Sequence, residues 1–241
     1  MSAEQGSPTG SSAATDQTGL AGRFEPGSPR IDPVKMLRIH GYKDMEKVRP
    51  VITKTANEIA ERAAGVMAPV VHFKRVAIAD CSGDALRLAN GLAFTNQAFP
   101  RYFSEAREIT AVVITVGKGL DDEVIALMDK FEPLEALFLE TAGWLGIEWT
   151  TKKFVEFLSA EIETENLRLT RRMGPGYSYK IDGDQEMWSL EEQRQLFEIF
   201  DGVELPVRLL ESCAMMPKMS RSGLYGLVPF DPSKIAVMKH G

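Results

Sequence analysis

The stretch with the most chemical capacity is Arg171-Arg172-Met173-Gly174-Pro175-Gly176-Tyr177. Gly174 and Gly176 carry no Cβ, so a ligand or a second backbone can approach closely. Pro175 fixes φ between them and stiffens the loop. Arg172 offers a planar fork of donors that matches a carboxylate. Tyr177 adds a flat apolar face with a polar end. Such a loop can hold an amino-acid carboxylate and expose carbonyls to a nearby cation. The same composition also makes an ordinary turn, so a site needs further groups from elsewhere in the chain.

Other stretches offer less. Val116-Gly117-Lys118-Gly119 joins a strand to a helix, as phosphate loops do. No Gly-Lys-Ser/Thr closes it at the required spacing, so a tight turn explains its glycines. Cys81 and Cys213 are far apart, which argues against a disulfide framework or a zinc or iron–sulfur centre. His40, His72 and His240 lack ligand spacing. No catalytic carboxylate pair or nucleophile–histidine set stands out, so no catalytic residue and no metal site is expected.

The bulk numbers narrow the class. The 241 residues suffice for one substantial domain. A hydrophobic fraction of 44% and a charged fraction of 26% suit a soluble globular fold. A net charge of −6 disfavours nucleic acid. No apolar run approaches the ~20 residues that span a bilayer, so no membrane role is expected. The N-terminus shows no basic and apolar signal pattern, which points to the cytoplasm.

The elements that must position the loop follow from periodicity. Residues 1–30 are rich in Gly, Ser, Thr, Ala and Pro and read as a flexible tail whose deletion changes stability little. Residues 31–241 read as one α+β domain. Within it, 31–42 docks through Val34, Met36, Leu37 and Ile39. The spacing predicts helices over 48–66, 82–94 (with Ser82 as N-cap) and from Asp121, then two helices in 134–165 broken near 143–149. Trp144 and Trp149 flank that break and are expected in the core. Strands are predicted over 72–79, 108–116, 203–215 and 224–228, the second central because it is apolar nearly throughout. A loop covers 170–187. A helix spans 190–200, with Ser189 and Glu192 forming a capping box.

The 172–177 loop has company downstream. Arg172-Met173-Gly174-Pro175-Gly176-Tyr177 resembles the Arg-x-x-Pro-Gly-Tyr motif of the activation domain of cobalamin-dependent methionine synthase. Glu211-Ser212-Cys213-Ala214-Met215-Met216-Pro217 resembles that family's Glu-Ser-x-Ala-Met-x-Pro strand. Ser220-Arg221-Ser222-Gly223 resembles its Ser-x-Ser-Gly turn, and Gln193 and Phe197 resemble a Gln-x-x-x-Phe pattern of stand-alone members. The resemblance covers roughly 48–230 and is densest in the last third.

The resemblance implies an activation-domain-like α+β fold, with a mixed or antiparallel sheet and packed helices. It implies binding of S-adenosylmethionine, with Arg172 on the methionine carboxylate, the backbone of Gly174, Pro175 and Gly176 along the ligand, and Tyr177 lining the pocket. Ser222, Gly223 and Tyr225 would complete it. The methyl group would pass to cobalamin on a partner, a corrinoid-binding protein or methyltransferase subunit, with an electron from a flavodoxin- or ferredoxin-type donor. The chain carries no corrinoid motif, so this action would be in trans. The family's late tyrosine falls on Ile235, and its N-terminal acidic residue has no counterpart. These departures leave open a docking or capping subunit that lacks the methyl-donor site.

Overall fold

Eight consecutive residues of one strand, Glu108–Thr115, are buried almost without interruption. A strand so covered needs a neighbour on each edge and a layer on each face. The computed structural model, which describes residues 21–230, supplies both. In chain order the elements are β1 (Ala21–Phe24), α1 (Pro33–Ile39), α2 (Pro50–Val66), β2 (Val70–Ser82), β3 (Ala85–Leu88), β4 (Ala93–Thr95), α3 (Phe99–Phe103), β5 (Glu108–Thr115), α4 (Gly119–Asp129), α5 (Pro133–Glu163), β6 (Leu167–Leu169), β7 (Ser178–Ile181), β8 (Asp184–Met187), α6 (Gln193–Glu198), β9 (Arg208–Leu209), β10 (Met215–Met216) and β11 (Ser220–Pro229). Seven strands form one sheet in the order β4-β3-β2-β5-β11-β6, with β1 on the remaining edge of β2. All its pairings are antiparallel.

Alternation along the strands sends side chains to two cores. Val71, Phe73, Val112, Ile114, Tyr225 and Leu227 face α1, α2, α4 and α5. Val76, Ile109, Ala111, Val113, Leu224 and Val228 face α3, α6 and the β7–β8 side. Helix α2 opens on Pro50 and buries Ile52, Ala56, Ile59, Ala60 and Ala63, one stripe at helical spacing.

Several expectations need correction. Residues 82–94 are not a helix. Ser82 ends β2, and Gly83 and Gly91, both at positive φ, turn the chain into β3 and β4. Leu86 and Leu88 are buried while Arg87 is exposed, a strand's period of two. Helix α5 is continuous over 31 residues. Its glycines do not break it; they let it pack. A Cβ on Gly143 would lie 2.5 Å from Leu120, and one on Gly146 would lie 2.5 Å from Met67 Sδ. Trp144 is 46% exposed rather than core. Residues 203–215 hold only the short β9 and the first residue of β10, the strand it pairs with. The 170–187 stretch contains β7 and β8, a hairpin turned at Asp182 and Gly183. Helix 190–200 is a 3₁₀ turn followed by α6, and Ser189 accepts from the Glu191 N–H. Glu192 does not close a capping box; it accepts from the Thr95 N–H and from Trp188.

The expected flexible segment fails at its end. Ala21–Phe24 pairs with β2, and Phe24 stacks on Phe157 at 4.7 Å. Residues 1–20, His240 and Ile235 lie outside the described residues. Of the 31–42 segment, Met36 and Leu37 are buried, whereas Val34 and Ile39 are exposed.

Phe154 sits where these pieces meet, in contact with Phe24, Phe73, Phe157 and Tyr225. Phe154→Ala is expected to cost about 3–5 kcal/mol, the usual range for an emptied aromatic core position. Chemical denaturation at equilibrium checks this.

Candidate functional site

The 172–177 loop is held by the outer edge of β11. Thr170 exchanges hydrogen bonds with Gly226, and Met173 exchanges two with Leu224, at 2.9 and 2.7 Å. This antiparallel bridge sets the register. Gly174 falls across from Gly223, and Arg172 across from Tyr225. The chain then reverses in a turn over 174–177, closed by the Tyr177 N–H to the Gly174 carbonyl at 3.3 Å. Pro175 and Gly176, the latter with φ of 82°, occupy its centre, as a type II turn requires.

The paired glycines make a floor without side chains. A Cβ on Gly223 would strike the Met173 carbonyl and lie 2.9 Å from the Arg172 guanidinium. A Cβ on Gly174 would lie 2.7 Å from that guanidinium and 2.9 Å from the Ser222 carbonyl. Arg172 therefore lies along the floor. It donates to the Ser222 carbonyl and stands 4.8 Å from the centre of the Tyr177 ring, a cation–π contact. Tyr177 is 47% exposed.

Strand β11 itself brings the second cation, and helix α5 holds it. Arg221, its side chain 12% exposed, donates to Glu148 and, at 3.3 Å, to Thr151. Burial is the largest influence and opposes its charge, but the Glu148 carboxylate, together with the Tyr177 and Tyr225 phenols, leaves its pKa raised. Tyr225 is buried on the same face against Phe154. Burial pushes its phenol up, and the charges of Arg172 and Arg221 pull the other way. Arg172, Arg221 and Glu148 carry a formal +1 among them.

Of the residues singled out in the sequence, the structure thus brings together Arg172, Gly174, Pro175, Gly176, Tyr177 and Gly223. Tyr225 lies beneath them as a core residue rather than a lining one. Ser222 contributes only its carbonyl. Its side chain points to the opposite face, where Oγ donates to buried Gln193 at 2.7 Å. Sequence reasoning missed Tyr179, whose buried hydroxyl accepts from the Gly174 N–H at 2.7 Å and donates to its carbonyl at 3.2 Å. It also missed Glu148 and Arg221. No local pattern marks these contacts, although the arginine stood inside the quoted Ser-Arg-Ser-Gly run.

The Gly117–Gly119 turn has a packing origin. A Cβ on Gly119 would lie 2.6 Å from the Val66 carbonyl, at the close of α2. Three surface cavities of about 320 to 450 Å³ lie elsewhere, and none is lined by the 172–177 loop. Among the described residues no group of three or more His, Cys, Asp or Glu is placed to hold a metal, and no helix is long and apolar enough to cross a membrane.

These elements define an α+β fold in which an antiparallel sheet carries helices on both faces and a turn-bearing loop on its last long strand. Among solved structures, the MetH reactivation domain bound to AdoHcy has this fold: the TM-score is 0.59 at 16% sequence identity, covering 88% of this chain and 79% of that one. Neither the protein-family models nor the curated proteins give a match to the sequence.

Gly223→Ala tests the glycine floor. Its methyl group must displace backbone as well as Arg172, so a loss of about 1–3 kcal/mol is expected, as for overpacking. A thermal melt that leaves the variant at the wild-type midpoint would contradict the geometry.

Proposed function

We propose that this chain binds S-adenosylmethionine, or the S-adenosylhomocysteine left after methyl transfer, at the 172–177 loop, and so supports reductive methylation of a corrinoid on a separate protein. The observation that carries the reading is the floor of Gly174 and Gly223 beside the Arg172 guanidinium, set in a fold similar to that of a MetH reactivation domain bound to AdoHcy. A Cβ at either glycine would close this approach, and the cations beside it suit a ligand with a carboxylate.

In this reading Arg172 takes the carboxylate. The backbone of Gly174, Pro175 and Gly176 runs along the ligand, Gly223 lets the Arg172 side chain lie close to the strand, and Tyr177 provides a half-exposed wall. The sulfonium supplies an electrophilic methyl group, so the chain need only bind and orient it. No general acid or base is called for. The partner is a corrinoid-binding protein or methyltransferase subunit, in a split methionine synthase or a corrinoid demethylase system. A flavodoxin- or ferredoxin-type protein delivers the electron.

A second reading has its own observation. Arg172 is already bonded to the Ser222 carbonyl, and Tyr225 is buried instead of lining a pocket. A docking or capping subunit that keeps the fold without the methyl donor fits these two facts.

Calorimetric titration with S-adenosylmethionine and S-adenosylhomocysteine separates the two. Saturable binding is expected, and Arg172→Ala should weaken it by about 1.5–3 kcal/mol, the worth of a hydrogen bond to a charged group. No heat with either ligand, in the presence or absence of a corrinoid protein, favours the docking subunit.

A further inference from the structure

The Arg172 guanidinium lies on the surface that a ligand at the two glycines would need. Three contacts keep it there. It donates to the Ser222 carbonyl, faces the Tyr177 ring at 4.8 Å, and fills the space left by the missing Cβ atoms of Gly174 and Gly223. Ser222 itself is pinned from the far side, because its hydroxyl is bonded to Gln193. The acceptor that holds Arg172 is therefore part of the rigid sheet, not a mobile loop.

We propose that Arg172 is a latch that the ligand's own anionic group must open, so that the site selects carboxylate-bearing adenosyl sulfur compounds over those without a carboxylate. This rests on the ligand class proposed above. The energetics are an exchange. A ligand carboxylate gives the guanidinium a charged acceptor in place of a neutral carbonyl, and charged acceptors make the stronger bond. A neutral nucleoside offers no such replacement. It must break the hydrogen bond and the ring contact without return, so it binds only the small fraction of molecules with the latch open. Arg172 then acts twice, as a partner for the right ligand and as a barrier to the wrong one.

The two roles predict opposite effects of one substitution. In Arg172→Ala, S-adenosylhomocysteine loses its carboxylate partner and binds more weakly. 5′-Methylthioadenosine, which lacks the amino-acid part and is uncharged, meets an open floor and binds more tightly, by roughly ten- to a hundredfold, the factor carried by one hydrogen bond to a charged group. Its neutrality removes any general effect of the deleted charge. Arg172→Lys is the second variant, in case the alanine protein folds poorly. Lysine keeps the charge but lacks the planar fork, so methylthioadenosine should gain while S-adenosylhomocysteine weakens, though less than in Arg172→Ala.

The experiment is titration of the full chain and both variants with the two ligands, alongside NMR of the arginine side chains in the ligand-free protein. A latched Arg172 shows hindered rotation of its Nη groups, assigned by their loss in Arg172→Lys. Free rotation overturns the latch whatever the ligands do. Hindered rotation with methylthioadenosine unchanged or weakened in both variants overturns the selective role. Hindered rotation with neither ligand binding any of the three proteins overturns the ligand class, and the selective role falls with it.

Discussion

The outer edge of β11 is the constraint on which the site depends. Residues 222–228 of this strand are buried, so water cannot satisfy its outward N–H and C=O groups. Strand β6 pairs only with 227–229, and the rest of the edge falls to Thr170 and Met173. That pairing fixes which residues meet. Once Met173 is opposite Leu224, Gly174 must stand across from Gly223 and Arg172 across from Tyr225. The chemistry of the loop follows from an obligation of the sheet, the pairing of buried backbone.

The two-sidedness of β11 explains why a cluster in sequence is not a cluster in space. Ser222, Gly223 and Tyr225 are near neighbours along the chain, yet successive side chains of a strand point to opposite faces. Ser222 belongs to the α6 side and Arg221 to the α5 side. The two faces still communicate through one residue, since Ser222 holds Gln193 with its hydroxyl and Arg172 with its carbonyl. A change in the packing of α6 would reach Arg172 through a single peptide unit.

Much of the fold was legible because its signals are local. The apolar run of β5, the buried stripe of α2 and the Pro-Gly turn at 175–176 are written within a dozen residues each. The misreadings have a common cause. Gly143 and Gly146 look like breaks in sequence, but their partners Leu120 and Met67 lie on other elements. The β3–β4 segment was read for helix spacing although Ser82-Gly83-Asp84 and Asn90-Gly91 carry turn signals. For the site, the loop and its glycines were visible and the support was not. Tyr179, Gln193 and Glu148 act through contacts that only the folded chain creates.

The unbroken α5 also sets the mechanics of the molecule. At 31 residues it is about 46 Å long, and it holds Lys218 through Glu140 and Arg221 through Glu148 two turns further on. Two clasps on one rod tie the start of β11, and the residues just before it, to this helix. A hinge near Gly143 would have let the helix fold away from the sheet and open the site like a jaw. Without it, the wall stays put, and freedom to move at this face is left to the turn at 174–177 and the one side chain lying across its floor.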